Sequence, residues 1–283
     1  MSISGAAKLA GIMGWPVAHS RSPALHGYWL KKYDIDGAYV PMAVKPENLR
    51  RALQALPALG FAGCNLTIPH KEDALRAVDS YEPSAKRAGG VNTIVIDARG
   101  NIVGSSSDGY GFIAALRAAA PRFDPAAAPA VVLGAGGAAR AIVAALLDHG
   151  ARDVRLVNRT PERATRLAKD LGGDVRGAVW EKRAEALADA GLLVNATSLG
   201  MEGQPVLDLP LDALPLDAIV NDIVYVPLET PLLAAARARG NLCVDGLGML
   251  LHQAAPGFEA WFAVKPAIDE GLRHAVLATL QKK

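Results

Sequence analysis

The stretch VVLGAGGAAR, residues 131–140, decides the fold of this chain. It runs from a short apolar strand through a glycine turn into an alanine-rich helix start. Gly134 permits the tight turn, Gly136 lets backbone amides approach phosphate oxygens, and Ala139 stands where a third glycine usually meets the strand. The stretch predicts a Rossmann-like α/β domain whose cofactor-binding turn comprises Gly134, Ala135, Gly136, Gly137 and Ala138.

The residues that follow favour a dinucleotide site over an accidental glycine turn. The helix closes at His149-Gly150, and residues 153–157 are predicted to form a second strand. The next helix is predicted to start with Thr160 as its N-cap and Pro161 in its first position. This strand–helix–strand–helix order is the context in which a glycine-rich turn binds a pyrophosphate.

The end of the second strand distinguishes NAD from NADP. NAD sites usually carry Asp or Glu there, which accepts a hydrogen bond from the ribose 2′-hydroxyl. This chain has Asn158, Arg159 and Thr160, with Arg163 one turn later. Because guanidinium groups donate paired hydrogen bonds to phosphate oxygens, we expect these residues to bind the 2′-phosphate of NADP. The alternative is that the two arginines are solvated charges on a helix face.

Length and composition narrow the class of protein. A chain of 283 residues is long enough for two α/β domains, and its net charge of +2 comes without a basic run of the kind that binds nucleic acid. No apolar run approaches the roughly 20 residues that span a bilayer, and no cleavable leader is recognised. Cys64 and Cys243 lie far apart in strand-like runs, which predicts buried free thiols and neither a disulfide nor a metal site. We expect a cytoplasmic protein with no nucleic-acid or membrane partner.

Strand-like and helix-like runs alternate before the glycine turn, which predicts a largely parallel sheet. The predicted strands are residues 10–14, 38–44 and 63–68, and the predicted helices are residues 23–33, 46–56 and 71–78. Residues 91–97 and 102–105 are predicted to add a hairpin, so the sheet is mixed and not purely parallel. A connecting helix, 110–119, and a proline-containing linker, 121–129, follow.

Beyond the glycine turn the alternation continues, which predicts a complete Rossmann-like sheet. The further strands are residues 191–195, 218–224 and 242–245, and the further helices are residues 161–171, 231–239, 250–262 and 268–281. The last two helices are predicted to return to the first domain and cover an open sheet face. The predicted fold class is therefore α/β, with an N-terminal mixed α/β domain and a Rossmann-like domain.

Polar side chains cluster at the end of the third strand, in the run NLTIPHK, residues 65–71. Such strand ends face ligand crevices in α/β folds. Alternation places Asn65, Thr67 and Pro69 on one side of the strand, and Lys71 is predicted to begin the next helix with its ammonium over the same crevice. Lys71 could there orient a hydroxyl and exchange its proton; the alternative is a solvated lysine in a helix first turn.

Asp108 follows the serine run Ser105-Ser106-Ser107 and precedes Gly109. It is predicted to lie in a turn before a helix, where a carboxylate commonly caps the first backbone amides. A catalytic role needs Asp108 and Lys71 to face each other, since a carboxylate–ammonium pair can share the proton of a substrate hydroxyl. Spacing along the chain leaves both roles open.

Six segments of the chain, in order, resemble the shikimate dehydrogenase family. They are GWPVAHSRSP at 14–23, NLTIPHK at 65–71, GVNT at 90–93, the glycine turn at 134–138, NRT at 158–160 and DGLGM at 245–249. Each segment is a modest signal, but the six collinear matches span nearly the whole chain and both predicted domains. The chain is thereby identified as a member of this family.

The resemblance implies NADPH-dependent, reversible reduction of 3-dehydroshikimate to shikimate, without a metal, in the chorismate route to aromatic amino acids. It implies a split substrate-binding domain, residues 1–107 with 247–283, and an NADP-binding Rossmann-like domain, residues 108–246. Shikimate or 3-dehydroshikimate and NADP are the implied small-molecule partners. We expect a monomer or a homodimer.

The resemblance also implies roles for individual residues. Lys71 and Asp108 match the family's catalytic pair. The positions that match substrate-binding residues are Ser20 and Ser22 for the carboxylate, Asn65, Thr67, Asn92 and Gln253 for ring hydroxyls, and Tyr225. The positions that match nicotinamide contacts are Thr197, Ser198, Gly246 and Met249. The competing interpretations are helix capping for the two serines and ordinary loop, core or helix positions for the others.

The chain departs from the family at two points. Ser106 and Ser107 stand where Asn-Thr is common before Asp-Gly, and His70 stands where an aromatic residue is frequent. The shorter hydroxyls leave open the orientation of Asp108 and the choice among related substrates. The alternatives are a quinate/shikimate dehydrogenase, a variant for amino analogues, and a catalytically silent NADP-binding sensor.

Overall fold

The computed structural model describes residues 3–280. The chain divides into two compact units. One consists of Met1–Ser107 and Leu251–Lys283, and the other consists of Asp108–Leu250. We call them the split unit and the central unit.

The split unit is built on a mixed sheet. Its strands are β1 (Lys8–Gly14), β2 (Gly37–Ala43), β3 (Phe61–Leu66), β4 (Ser80–Tyr81), β5 (Thr93–Ile96) and β6 (Ile102–Ser105). They lie in the order β2-β1-β3-β5-β6-β4. The helices on this part of the chain are α1 (Ser22–Lys32), α2 (Leu49–Ala55) and α3 (Pro83–Ala88). The strand β1 is parallel to β2 and β3, whereas β5 is antiparallel to β3 and β6, so the predicted hairpin and mixed sheet are confirmed.

Residues 71–78 do not form the predicted α-helix. They contain a turn followed by a short 3₁₀ segment, Asp73–Arg76. The backbone N–H of Val91 donates to the carbonyl oxygen of Lys71 (2.8 Å). The Lys71 carbonyl oxygen is thus hydrogen-bonded to a residue distant in sequence. The strand β4 and the helix α3 were not predicted, because two and six residues are too short for a periodic pattern.

The central unit contains a fully parallel sheet. Its strands are β7 (Ala130–Leu133), β8 (Val154–Asn158), β9 (Val175–Val179), β10 (Leu192–Asn195), β11 (Ile219–Asp222) and β12 (Leu242–Val244). Its helices include α4 (Asp108–Ala119), α5 (Gly137–Asp148), α6 (Pro161–Leu171) and α7 (Pro231–Arg239). The strands lie in the order β12-β11-β10-β7-β8-β9, so β8 and β9 follow on one side of β7 and β10, β11 and β12 on the other, and the strand order reverses between β7 and β10. In such a sheet, ligands bind outside the carboxyl ends of the strands at this reversal.

Both faces of the central sheet are buried, as expected of parallel strands. Alternate residues supply the two cores: Val132, Leu156 and Val194 belong to one, and Val131, Leu133, Val157 and Leu193 belong to the other. The strand β9, at the sheet edge, was not predicted because its sequence, VRGAV, is short and contains glycine and alanine, which are uncommon in strands. Residues 121–129, predicted as a linker, form a loop inside this unit, because α4 before them packs against α5.

The C-terminal part of the chain forms α8 (Gly246–Phe262) and α9 (Glu270–Leu280). The helix α8 begins four residues before its predicted start at 250, because the Asp245 carboxylate accepts hydrogen bonds from the N–H groups of Leu247 (3.1 Å) and Gly248 (3.3 Å). Gln281, the predicted last residue of the final helix, lies outside the described residues. Among helices of residues 3–280, none is long and apolar enough to cross a bilayer.

Both cysteines are free, as predicted, but their burial differs. Cys64 in β3 is buried, and this burial raises the pKa of its thiol. Cys243 in β12 is only half-buried, so the prediction of two buried thiols is wrong for that residue.

Candidate active site

A buried polar network in the split unit centres on Asn92. Its Oδ1 accepts hydrogen bonds from the Ser107 backbone N–H (2.9 Å), the Ser107 hydroxyl (3.1 Å) and the Thr93 hydroxyl (2.8 Å). Its Nδ2 donates to Gln253 Oε1 (3.4 Å). Because a backbone N–H can only donate, the orientation of the Asn92 carboxamide is settled. The structure therefore brings together two residues predicted to bind substrate hydroxyls, Asn92 and Gln253.

Asn65 belongs to the same network. Its Nδ2 donates to the Asn92 carbonyl oxygen (3.1 Å) and to the Thr93 hydroxyl (3.3 Å), and its Oδ1 accepts from the Tyr39 hydroxyl (2.6 Å). Asn65 is only 5% exposed. The sequence analysis predicted Asn65 as a site residue but did not single out Tyr39 or Thr93. Tyr39 lies between apolar neighbours on its strand, whereas Thr93 directly follows Asn92 in the segment GVNT.

The segment that carries Thr67 and Lys71 is a turn tied to neighbouring elements. The strand β3 ends at Leu66, so the predicted alternation does not extend to Thr67 and Pro69. The Thr67 N–H donates to the Met13 carbonyl oxygen (3.0 Å). The buried His70 places a ring nitrogen 2.8 Å from the Val44 carbonyl oxygen. The Lys71 side chain therefore extends from a backbone segment that is fixed by hydrogen bonds. That segment is a turn, not the helix start that we predicted.

Ser20 and Ser22 lie at the start of α1, and neither occupies its N-cap position. The N-cap position is Arg21, which makes no side-chain capping hydrogen bond. The Ser22 N–H donates to the Ser20 hydroxyl (3.3 Å), and Ser22 is buried. Helix capping therefore does not account for the hydroxyl of Ser22.

Asp108 is the first residue of α4, not a residue of the preceding turn as predicted. Directly before it, the buried Ser107 is held by the Asn92 carboxamide, and the Ser106 N–H donates to the Ser84 hydroxyl (3.1 Å). The Ser107 hydroxyl thus makes a hydrogen bond that the hydroxyl of the more common threonine could also make. The departure at this position removes a methyl group but no hydrogen-bonding group.

The glycine turn after β7 has the backbone geometry that a dinucleotide needs. Gly134 has φ of +108°, and a Cβ there would lie 2.9 Å from the Ala196 carbonyl oxygen, so only glycine fits. Nothing lies within 4 Å of where a Cβ of Gly136 or Gly137 would be. The helix α5 begins at Gly137, and its first N–H groups have no partner within the helix. This open helix N-terminus fits a pyrophosphate.

The loop after β10 lies against this turn and is shaped by a buried carboxylate. Asn195 Oδ1 accepts from the Thr197 N–H (3.1 Å) and hydroxyl (2.7 Å), and Asn195 Nδ2 donates to Asp222 Oδ1 (3.0 Å). The Thr230 hydroxyl donates to Asp222 Oδ2 (2.7 Å). Burial raises the pKa of Asp222. The sequence analysis did not single out Asp222 and Thr230, although adjacent Asn221 and Asp222 inside a predicted strand are a detectable signal.

This network orders the loops that carry several predicted cofactor and substrate residues. Thr197 and the exposed Ser198 lie in the loop after β10, and the half-buried Tyr225 lies in the loop after β11. Gly246 is buried against the Ile223 carbonyl oxygen, too closely for any side chain. Met249 packs against the core of the central sheet. For Gly246 and Met249, the structure thus supplies a packing reason independent of a cofactor.

The end of β8 presents positive charge without acidic partners. Asn158 Nδ2 donates to the Thr160 carbonyl oxygen (2.9 Å). Thr160 occupies the N-cap position of α6 as predicted, but its side chain makes no capping hydrogen bond. Arg159 and Arg163 are exposed, and among the described residues neither guanidinium has an ion-pair partner. Arg155, in contrast, is paired with acidic side chains.

The predicted residues divide between the two units. The split unit carries Ser20, Ser22, Asn65, Thr67, Lys71, Asn92 and Gln253. The central unit carries Asp108, Tyr225 and every predicted cofactor residue. Each unit therefore contributes one member of the predicted catalytic pair.

Comparison with known proteins decides the family. The family model described as the shikimate dehydrogenase substrate binding domain matches residues 12–94, and the model described as shikimate/quinate 5-dehydrogenase matches residues 117–201. Over 276 residues the chain is 58% identical to the shikimate dehydrogenase (NADP(+)) of Paramagnetospirillum magneticum, a match that covers 98% of this chain and 100% of that relative. The chain belongs to the shikimate dehydrogenase family.

Solved structures of similar chains share its fold. Shikimate 5-dehydrogenase from Thermus thermophilus, in complex with NADP(H) and shikimate, is 38% identical with a TM-score of 0.84, covering 96% of this chain and 99% of that one. Quinate dehydrogenase from Corynebacterium glutamicum, in complex with NAD, is 31% identical with a TM-score of 0.89 and the same coverage. The predicted fold class, with a mixed domain and a Rossmann-like domain, is confirmed.

Proposed function

We propose that the protein is an NADP-dependent shikimate dehydrogenase, which reversibly reduces 3-dehydroshikimate to shikimate on the route to chorismate and aromatic amino acids. The observation that carries the proposal is the identity of 58% across 98% of the chain to a relative named for this activity. A second relative with that name, from Rhodospirillum rubrum, is 57% identical over 97% of the chain. Bound NADPH supplies the hydride for the substrate carbonyl carbon.

We assign cofactor binding to residues 108–246. The open N-terminus of α5 and the turn before it receive the pyrophosphate, and the arginines at the end of β8 receive the 2′-phosphate. The residues in these roles are Gly134, Ala135, Gly136, Gly137, Ala138, Asn158, Arg159, Thr160 and Arg163. Thr197, Ser198, Gly246 and Met249 are assigned to the nicotinamide end.

We assign substrate binding to residues 1–107 with 247–283, together with Tyr225. Ser20 and Ser22 bind the carboxylate, and a second group, Asn65, Thr67, Asn92 and Gln253, binds the ring hydroxyls. Hydroxyl recognition by buried amides is selective, since an analogue that lacks a hydroxyl leaves a buried polar group unpaired. The network around Asn92 supports this assignment because it holds the amides in single orientations.

Lys71 and Asp108 are the proposed catalytic pair. During shikimate oxidation the pair accepts the proton of the C3 hydroxyl as the carbonyl forms. During reduction of the carbonyl the pair returns a proton to the C3 oxygen. The Lys71 ammonium also stabilises the negative charge that develops on the C3 oxygen. The support from the structure is local: the Lys71 backbone is held by Val91, and Asp108 follows directly on the anchored Ser107.

The remaining parts of the proposal are a cytoplasmic location and a monomeric or homodimeric state.

A grid of assays tests the proposed function. The purified protein is supplied with shikimate or quinate and with NADP or NAD at mildly alkaline pH, and absorbance of the reduced nicotinamide is followed. We expect rapid NADPH formation with shikimate and much slower reaction in the other three combinations. A preference for quinate with NAD would instead favour the activity for which the Corynebacterium glutamicum relative is named. NADPH binding without turnover on any substrate would identify a sensor.

Removal of the arginines at the end of β8 should change cofactor preference. Arg159→Ala and Arg163→Ala should each raise KM for NADP by about tenfold, because a hydrogen bond to a charged group contributes about 1.5–3 kcal/mol. KM for NAD should change little, since NAD has no 2′-phosphate. Arg166→Ala removes an exposed arginine from the same helix and is the matched control. Equal losses with both cofactors would contradict the assignment.

A further inference from the structure

Tyr39 contacts a residue that we assign to the substrate. Its hydroxyl donates to Asn65 Oδ1 (2.6 Å). Tyr39 is only 8% exposed and Asn65 only 5% exposed. Burial keeps the pKa of the Tyr39 hydroxyl well above its usual value, so the group remains a donor throughout the working pH range.

The sheet register places Tyr39 where it can reach Asn65. In the register, Tyr39 pairs with Ala10, and Asn65 pairs with Ile12. Ala10 and Ile12 are two residues apart on β1, so all four side chains lie on one face of the sheet. The small side chain of Ala10 leaves space for the tyrosine to extend across β1 towards Asn65.

Aromatic packing holds the Tyr39 ring. The His26 ring from α1 stacks on it, with 3.9 Å between centroids and 9° between planes. The Trp261 ring from α8 lies 5.9 Å from the Tyr39 ring and 5.7 Å from the His26 ring, measured between centroids. His26 is completely buried, so the stack is part of the core of the split unit. The hydroxyl therefore has a defined position, which a flexible surface tyrosine would lack.

The hydrogen-bond donors of Asn65 define how that residue can meet a substrate. Both Nδ2 hydrogens have protein acceptors, the Asn92 carbonyl oxygen and the Thr93 hydroxyl. A carbonyl oxygen can only accept, so the carboxamide cannot flip. Tyr39 must then be the donor to Oδ1. Asn65 is thereby presented to a ligand as a hydrogen-bond acceptor, which suits a substrate hydroxyl.

We propose that Tyr39 is a positioning residue of the substrate site, which holds the Asn65 carboxamide in the orientation that binds shikimate. The proposal rests on the proposed function, because Asn65 is a substrate residue only if shikimate is the substrate. Tyr39 acts through the Asn65 side chain and does not itself carry out the reaction.

Tyr39→Phe tests the proposal, since it removes the hydroxyl and keeps the stacked ring. We expect KM for shikimate to rise about tenfold, because the Asn65 carboxamide loses the hydrogen bond that fixes its orientation, while KM for NADP changes little. The unsatisfied Asn65 acceptor should lower the melting temperature by only a few degrees. The ratio of kcat/KM for shikimate to kcat/KM for an analogue that lacks one ring hydroxyl should fall. The fall should be confined to the analogue that lacks the hydroxyl bound by Asn65. Tyr33→Phe is the matched control, because the Tyr33 hydroxyl accepts from the Ala267 N–H (2.8 Å) in the same unit, outside the network.

A double-variant cycle distinguishes positioning from general stabilisation. If Tyr39 acts largely through Asn65, Tyr39→Phe should raise KM much less in an Asn65→Ala background than in the wild-type chain. An unchanged KM and unchanged analogue preference in Tyr39→Phe, or a fall in melting temperature alone, would overturn the proposal. If the wild-type chain fails to oxidise shikimate with either cofactor, the proposed function itself fails. If the wild-type chain is active and the variants match it, only the role of Tyr39 fails.

Discussion

Lys71→Ala is expected to lower kcat for shikimate oxidation by about 10²- to 10⁴-fold, the contribution of one positioned acid–base group. The variant loses both the proton exchange and the positive charge next to the developing alkoxide. Affinity for NADPH should stay close to that of the wild-type chain, because the proposed cofactor residues belong to the central unit and Lys71 to the split unit. Steady-state kinetics and a fluorescence titration with NADPH measure the two quantities.

Two further variants show whether the lysine acts as part of a pair. Asp108→Asn keeps the size of the side chain and should lower kcat by a similar factor. If Lys71 and Asp108 act on one proton, the double variant should be little worse than either single variant. Lys86→Ala is the control, since Lys86 is an exposed lysine in α3. Turnover that survives in Lys71→Ala would contradict the role that we assign to the lysine.

Acid should destabilise the protein through His26. Burial lowers the pKa of His26 from 6.5 to about 3, and neither ring nitrogen has a hydrogen-bond partner among the described residues. Between these two pKa values the unfolded chain binds a proton that the folded chain does not. The stability contributed by neutral His26 is therefore complete above pH 6.5 and is lost as the pH falls towards 3. The loss is about 1.4 kcal/mol per pH unit, or about 2 kcal/mol at pH 5.

His26→Phe isolates this effect because it keeps an aromatic ring in the stack and removes the titrating group. Urea unfolding at pH 7.5 and at pH 5 should show that the variant loses about 2 kcal/mol less stability than the wild-type chain on acidification. His274→Ala, which removes an exposed histidine of α9, should leave the wild-type pH dependence intact. Equal losses in the wild-type chain and in His26→Phe would mean that His26 is protonated within the fold.

Elements with strong local signals were predicted well. The helices α6 and α7 have their predicted bounds, Pro161–Leu171 and Pro231–Arg239, because proline at the start and glycine after the end mark both. The glycine turn was predicted for a similar reason, since a positive φ restricts the choice of residue. The segment at 71–78 was predicted wrongly because its polar composition permits a helix, whereas the contact with Val91 decides its conformation.

Residue types and their order were enough for the α/β class, the glycine turn, the family and a list of candidate site residues, because each was recognised from short runs of residues and their order along the chain. The partners of those residues were not accessible in the same way. Tyr39 and Asn65 are 26 positions apart, and Asn92 and Gln253 are 161 apart. Their hydrogen bonds exist only because the sheet register and the return of α8 bring distant backbone segments together. The orientations of the candidate site side chains therefore depend on long-range packing. The identities of those side chains, in contrast, can be read from short runs of residues.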